Sequence, residues 1–285
     1  MSGLSEYCRG SDERLTGCGR PLNLLYIFNG AAKMNEIKNS PWKSTLTELH
    51  LGYSIENENF RYIGDLRNLK ILSLAICLYA FDEEIAPLKN LYNLEELRID
   101  YGGEDCNLTN DGMISLFTLP DYEPEKAFPY KLKHLGITDF QGCSSNLLKT
   151  INKNCPYLRT LDLSFSEYMD DDALPFIVAN FKHLAFLDLS NLGECYKDEV
   201  WSNLSDGDLP ELRFLKIHGN EADIGNLQRL NLKRPKLLIS TKSAYVINWT
   251  VNENGYVFHD TFEGDIKALE NDLRQIEGLR DFKVT

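Results

Sequence analysis

The stretch Leu158-Arg159-Thr160-Leu161-Asp162-Leu163 holds the pattern that decides the fold, Leu-x-x-Leu-x-Leu/Ile. Working outward in both directions, the same pattern recurs along most of the 285-residue chain. The successive intervals between leading leucines are 24, 23, 25, 38, 26, 26 and 28 residues. Recurrence at a nearly constant interval predicts a stacked repeat. The clear copies begin at Leu22, Leu46, Leu69, Leu94, Leu132, Leu158, Leu184 and Leu212, and a degenerate copy has Arg234 in the leading place, followed by Leu237 and Ile239.

The spacing within each copy predicts a strand followed by a helix. Alternate apolar residues predict a short strand with one buried face. The rest of each interval has helical apolar spacing, as in Ile85, Leu88 and Leu91. A single strand–helix unit cannot bury its own apolar face, so the copies must stack. Because the interval matches the 20–29 residues of leucine-rich repeats, we predict an α/β leucine-rich-repeat solenoid. Its curved parallel sheet would form the concave face, with helices on the convex face.

Three stretches carry a resemblance to one class of these repeats. In the stretch Leu69–Cys77, Cys77 follows the strand, at a position that such repeats fill with Cys or Asn. Asn220 also fits this position in its own copy. The chain resembles the cysteine-containing repeats of F-box/leucine-rich-repeat proteins, although residues 1–21 show no F-box pattern. The resemblance implies substrate recognition for a cullin-type ubiquitin ligase, with ligase components as partners. The three stretches are Cys155–Ser164, Leu69–Cys77 and Leu108-Thr109-Asn110-Asp111-Gly112-Met113.

Three segments are predicted. Residues 1–21 form an N-terminal tail or partial cap, and residues 22–240 form a solenoid of about eight to nine repeats. Residues 241–285 form a C-terminal β-hairpin plus helix, because an Asn-Gly turn at 254–255 separates two strand-like stretches and an amphipathic pattern follows over 264–282. This segment is expected to cap the exposed core. A separate binding appendage is the alternative.

The one long interval, 38 residues from Leu94 to Leu132, indicates an insertion. Its surplus falls on residues 119–129, where three prolines prevent a helix from continuing. Its acidic and aromatic residues suit contact with a partner. A tolerated surface insertion is the other interpretation.

Composition excludes several classes of function. The formal net charge of −13 disfavours nucleic acid and anionic lipid as partners. No apolar run approaches the roughly 18 residues of a membrane span, and the N-terminus has no secretory pattern. The seven cysteines, an odd number, are expected to be reduced thiols. We therefore expect an intracellular protein of the cytoplasm or nucleus.

The sequence contains no motif for catalysis, a metal or a cofactor. Phosphate-binding loops, nucleophile elbows and histidine metal spacings are all missing from it. The acidic run Asp170, Asp171 and Asp172 is typical of a solvated turn at a helix N-terminus rather than of a cation site. Cys155, just before a repeat strand, is expected to be a buried structural thiol. We predict no enzyme activity, no cofactor and no metal.

The candidate binding site lies on the strand residues that point away from the leucine core. Phe186 and Phe214 occupy the same position on neighbouring copies, and exposed aromatics flanked by charge are typical of interface hot spots. Burial of both rings by the C-terminal cap is an equally weighted alternative. The predicted function is a non-catalytic protein–protein interaction module, with a scaffold, regulator or structural subunit unrelated to ubiquitin as the alternative. The predicted partner-binding residues are Arg98, His134, Asp162, Phe186, Asp188, Phe214, Lys216 and His218.

Overall fold

The computed structural model has one long parallel sheet. It describes residues 5–9, 23–28, 40, 43–51, 60–75, 80–101, 107–234, 236–240, 249–252 and 255–258. Ten strands pair in chain order, each parallel to the strand before it. This arrangement confirms the predicted solenoid. The strands are β1 Ser5–Arg9, β2 Leu24–Phe28, β3 Glu48–Leu51, β4 Ile71–Ala75, β5 Glu96–Asp100, β6 His134–Thr138, β7 Thr160–Asp162, β8 Phe186–Asp188, β9 Phe214–Lys216 and β10 Leu238–Ser240.

Helices connect most of the strands and cover the leucine side of the sheet. Side-chain caps begin three of them, since Thr109, Ser144 and Asp223 each accept a hydrogen bond from a first-turn backbone N–H. Short 3-10 helices occupy Ala86–Asn90, Pro124–Lys126 and Gly193–Cys195. Within the described residues the α-helices are α1 Phe60–Ile63, α2 Asp82–Ile85, α3 Asn110–Phe117, α4 Ser145–Asn154, α5 Ala173–Asn180, α6 Glu199–Ser202 and α7 Ile224–Lys233.

The leucines of the repeat form the core. The strand register places Leu97 opposite Leu72 and Leu135, and each has at most 2% of its surface exposed. The leading leucines from Leu46 to Leu212 are buried as well, with exposed fractions between 0% at Leu46 and 4% at Leu158. Helix residues cover the other side of this core, and among them Met113 and Ile151 are 0% exposed. A fully buried leucine contributes roughly 1.5–3 kcal/mol, so this continuous column of leucines organises the fold.

The two ends of the sheet differ from the sequence prediction. Strand β1 adds one parallel strand within residues 1–21, which were predicted as a tail or partial cap. At the other end, the proposed register of the last copy is wrong by two residues, because Ile239 rather than Leu237 lies opposite Leu215. Arg234 does not replace a core leucine. Its guanidinium instead donates to the Leu209 carbonyl at 2.8 Å.

A hairpin follows the long sheet. Strands β11 Trp249–Asn252 and β12 Gly255–Phe258 pair antiparallel, with two residues between them, and β11 lies against β10. The predicted helix over 264–282 lies outside the described residues. The role of this segment as a cap stays a prediction.

Asn220 shows what the Cys/Asn place does in this solenoid. Its side-chain oxygen accepts from the Leu192 backbone N–H at 2.8 Å, and its nitrogen donates to the Leu189 carbonyl at 2.7 Å. One side chain thus satisfies backbone groups of the preceding turn that no strand partner reaches. Cys77, the other good match to this place, lies outside the described residues.

A left-handed residue follows each of four consecutive strands. Asp139, Phe165, Asn191 and Gly219 follow β6 to β9 in equivalent positions, with φ between 54° and 67°. Aspartate, asparagine and glycine tolerate this conformation, whereas a bulky side chain is strained in it. The ring of Phe165 is 49% exposed, so core packing does not explain its presence.

We expect Phe165→Asn to raise the free energy of unfolding by about 1 kcal/mol, because it relieves the strain of a left-handed aromatic residue. Urea denaturation measures this change. The matched control is Tyr168→Asn, which also removes an exposed aromatic ring but lies at a position without positive φ. A loss of stability in Phe165→Asn would show that the ring contributes more by contact than it costs in strain.

We expect Gly64→Ala to lower the free energy of unfolding by about 1–3 kcal/mol through overpacking. An added Cβ would lie 2.3 Å from the backbone oxygen of Pro87, which belongs to the 3-10 helix packed against α1. Gly136→Ala is the control, since its Cβ would find only ordinary contacts at 3.6 Å or more. Equal urea midpoints for the two variants would contradict the expectation.

Candidate protein-binding surface

The strand residues that point away from the leucine core form three columns across the sheet. We call them the first, second and third column, in the order in which they occur along each strand. The register aligns each column from strand to strand. From β3 to β9 the first column is Glu48, Ile71, Glu96, His134, Thr160, Phe186 and Phe214. Over the same strands the second column is His50, Ser73, Arg98, Gly136, Asp162, Asp188 and Lys216. The third includes Asp100, Thr138, Ser164, Ser190 and His218.

Of the two alternatives predicted for Phe186 and Phe214, exposure on the sheet face and burial, the structure shows burial. Their side chains are 1% and 3% exposed. The rings stack with centroids 5.2 Å apart and planes 29° apart, because the register places them side by side on β8 and β9. Thr160, their neighbour in the column, is buried too. The two rings form a second apolar cluster on the face of the sheet opposite the leucines.

A buried ion pair lies next to these rings in the second column. The ammonium nitrogen of Lys216 is 2.9 Å from a carboxylate oxygen of Asp188, whose side chain is 3% exposed. The other oxygen of Asp188 accepts from the backbone N–H and hydroxyl of Ser190, at 2.9 and 2.6 Å. Both oxygens of this carboxylate thus have partners within the protein, which leaves little capacity for a binding partner.

Asp162 repeats the same local motif one strand earlier. It accepts from the backbone N–H and hydroxyl of Ser164 at 3.0 and 2.8 Å. Burial and then the neighbouring charge of Asp188 raise the pKa of Asp162 to about 6, against the lowering effect of the Ser164 hydrogen bonds. Two adjacent carboxylates share one ammonium group here, and this shortage of positive charge favours the protonated acid.

The two predicted histidines are buried as neutral rings. Nδ1 of His134 lies 3.1 Å from the Thr160 hydroxyl, and Nε2 of His218 is hydrogen-bonded to the Ser240 hydroxyl. Burial lowers the pKa of both histidines to about 4, assisted by the charge of Arg98 at His134 and of Lys216 at His218. Both residues lie on the face of the sheet that carries the three columns, which we call the wall, but at most 5% of either residue is exposed.

We expect stability to fall as the pH is lowered from 6.5 towards 4. In this window the unfolded chain protonates His134 and His218, whereas the folded chain, in which their pKa is about 4, does not. Asp162 acts in the opposite direction, because its pKa of about 6 lets the folded chain take up a proton first. Glu96, whose pKa burial also raises, acts with Asp162. The two histidines, each lowered from 6.5 to about 4, outweigh these carboxyl groups, so the net effect is a loss. Urea midpoints measured across this range test it.

Two variants separate these opposed contributions. His134→Gln should flatten the decline with falling pH, because it removes one of the two shifted histidines. Asp162→Asn should steepen it, because it removes the opposing carboxyl. A flatter profile for Asp162→Asn would contradict the assignment.

The accessible part of the wall lies over β3 to β5. His50 Nε2 is 2.8 Å from a Glu48 carboxylate oxygen, and both side chains are 21% exposed. Arg98 is 42% exposed and donates from Nε to the buried carboxylate of Glu96 at 2.7 Å. Burial raises the pKa of Glu96 despite this ion pair. We define the accessible wall as Glu48, His50, Ile71, Ser73 and Arg98, all of which are half-buried.

Of the predicted site residues, only Arg98 lies in the accessible wall. The other seven lie together over β6 to β9, the part of the wall that is largely buried. Sequence reasoning missed His50 and Glu48, although a signal existed. Opposite charges two residues apart occur on the same strand face at Glu48 and His50, and again at Glu96 and Arg98.

The residues weighed for other chemistry have structural contacts. Asp170 accepts from the Ser145 backbone N–H at 2.8 Å, at the start of α4. Cys155 is 3% exposed, and burial raises the pKa of its thiol. Among the described residues no group of three or more side chains is arranged to hold a metal ion. No described helix has the length and apolarity that a bilayer crossing requires.

Comparisons with known proteins support the fold and go no further. No family model matches the chain. CD180 antigen of Mus musculus is 31% identical over 145 residues, which is 50% of this chain and 19% of that protein. The crystal structure of the Rad7 and Elc1 complex in yeast contains a chain that aligns with a TM-score of 0.53 at 18% identity, covering 78% of this chain and 55% of that one. The leucine-rich-repeat-containing protein LegL7 from Legionella pneumophila aligns with a TM-score of 0.42 at 14% identity, covering 93% and 94% of the two chains.

Proposed function

We propose that this chain is a non-catalytic protein-binding module whose partner lies across the accessible wall. One observation carries the proposal, namely the contrast in burial along the wall. Over β6 to β9 the polar and aromatic side chains are satisfied within the protein, whereas over β3 to β5 charged side chains retain exposed surface. Half-exposed charge on a rigid sheet suits electrostatic complementarity with a partner.

The chemistry of the accessible wall favours a polar partner with one apolar contact. Ile71 is its only apolar member, and it lies opposite Glu48 and Glu96 in the register. Ser73 separates His50 from Arg98 in the second column. A partner side chain that enters above this small serine would lie between the imidazole of His50 and the guanidinium of Arg98.

Affinity capture with the full chain, followed by mass spectrometry, tests the proposal. Ser73→Arg introduces a bulky cation in the centre of the accessible wall and should abolish capture. Lys153→Glu, an exposed substitution on α4, should leave capture unchanged. Circular dichroism must show that both variants are folded. A partner retained by Ser73→Arg would rule out binding at this surface.

The finer form of the proposal is substrate recognition for a cullin-type ubiquitin ligase inside the cell, in the cytoplasm or nucleus. Its support is the resemblance of Leu108–Met113 and neighbouring stretches to cysteine-containing repeats, together with the bonding of Asn220 in the Cys/Asn place. Copurification of a cullin and its small adaptor subunit with the full chain would support this role. Capture of a partner without either component would leave a scaffold or a structural subunit as the function.

A further inference from the structure

A pocket of about 540 Å³ opens beside the insertion at residues 119–129. Three segments line it: Arg67 before β4, residues 89–92 before β5, and residues 118–128 before β6. Each of the three segments precedes a strand, so the pocket lies at the end of the sheet where the strands begin. It shares no residue with the three columns of the wall. Its volume lies within the range of ordinary ligand sites.

The insertion is a folded wall of this pocket. Phe128 is 3% exposed, and its ring centroid lies 5.8 Å from that of Phe117 in the core. The 3-10 turn Pro124–Lys126 is closed by a hydrogen bond from the Ala127 backbone N–H to the Pro124 carbonyl at 3.1 Å. A preformed wall loses little conformational entropy when a ligand binds.

Hydrogen bonds between repeats fix the opposite side. The Asn93 side chain donates to the Arg67 carbonyl at 3.0 Å, and the Lys131 ammonium donates to the Asn93 side-chain oxygen at 2.8 Å. These bonds connect the three entry segments of consecutive repeats. The relative positions of the lining residues are therefore set by the solenoid itself.

The lining combines exposed tyrosine rings with positive charge. Tyr122 is 76% exposed and Tyr92 is 36% exposed. Three cations, Arg67, Lys89 and Lys126, line the pocket with a single carboxylate, that of Glu123, whereas Asp121 and Glu125 of the same turn are not among its lining residues. The whole chain carries −13. A cationic pocket on a strongly acidic protein concentrates positive potential at one place.

We propose that this pocket binds an acidic peptide segment of another protein that carries one aromatic or apolar anchor residue. Tyr122 and Tyr92 are the kind of rigid aromatic surface on which an anchor side chain packs. Arg67, which forms no ion pair with any described residue, attracts the flanking carboxylates, whereas Lys126 is already 2.6 Å from Glu123. A basic peptide would be repelled. This proposal does not depend on binding at the accessible wall.

Fluorescence anisotropy with the full chain tests the pocket. The probe is a fluorescein-labelled peptide of about 12 residues with one phenylalanine among aspartate, glutamate and proline, and its counterpart has lysine at every acidic position. The acidic probe should bind at least about tenfold more tightly than the basic one. Tyr122→Ala and Arg67→Glu should each weaken it about tenfold or more, and binding should decline with added salt.

Matched controls identify the site. Tyr168→Ala removes another exposed ring on a different loop, Lys153→Glu reverses a remote charge, and Ser73→Arg blocks the accessible wall. All three should leave probe affinity unchanged. Equal affinity for Tyr122→Ala and the natural chain would overturn the proposal, as would equal affinity for the two peptides. A dimer of the full chain that Tyr122→Ala dissociates in analytical ultracentrifugation would also overturn it, because a second copy would then be the occupant.

Discussion

Replacing Phe186 or Phe214 with alanine is expected to lower the free energy of unfolding by about 3–5 kcal/mol. Each ring is at most 3% exposed, and each stacks on the other at 5.2 Å, so either truncation leaves a cavity beside the remaining ring. The stacked geometry adds about 0.5–1.5 kcal/mol beyond simple burial. Urea denaturation of the two single variants and the double variant measures both contributions.

The double variant makes this expectation specific. Because the rings share one cavity, the two losses should not add, and the difference is their coupling energy. Tyr168→Ala is the control, since that ring is 65% exposed and should change stability by less than about 0.5 kcal/mol. A loss below about 1 kcal/mol for both phenylalanine variants would contradict their burial. It would return them to the hot-spot role that the sequence predicted.

Replacing Lys216 with methionine is expected to cost about 3–5 kcal/mol, because it leaves the buried carboxylate of Asp188 without its counterion. The pair is 2.9 Å apart, and the two side chains are 18% and 3% exposed. Asp162 on the adjacent strand makes the loss worse, since two neighbouring carboxylates would then lack a cation. Chemical denaturation at pH 7 measures the effect.

A second substitution separates charge from packing. Asp188→Asn in the Lys216→Met background removes the stranded charge while keeping an oxygen that accepts from Ser190. We expect this double variant to recover most of the lost stability, because a neutral pair in place of a buried ion pair is often tolerated. A double variant as unstable as Lys216→Met alone would show that the lysine stabilises the fold by packing rather than by charge.

The fold was predictable from the sequence because the spacing of the leucines matches the alternation of side chains along a strand. Every described side chain of the eight clear leucine patterns is at most 4% exposed, from Leu25 to Ile217. The strand period of two and the interval of 23–28 residues, which one insertion lengthens to 38, are local properties of the sequence and require no knowledge of distant contacts. The prediction was wrong by two residues at β10, where Ile239 lies opposite Leu215 and the apolar pattern no longer marks the register.

The candidate site was predicted less well because exposure is a tertiary property. Alternation shows that Phe186 and Asp188 point away from the leucines, and this is correct. It does not show whether the second face is covered, and here Phe186 stacks on Phe214 while Asp188 pairs with Lys216. Arg98 keeps exposed surface because its neighbours in the second column are a serine and a glycine, which leave its side chain 42% exposed.

The strict pairing of each strand with only the strands before and after it in the chain has a kinetic consequence. Contacts between strands join neighbouring units, so contact order is low, and closing one loop of about 25 residues suffices to nucleate a pair. Structure can then spread outward in either direction from whichever pair forms first. A substitution that disrupts the pairing of two neighbouring strands, such as β7 and β8, would divide the solenoid into two blocks that melt at separate temperatures.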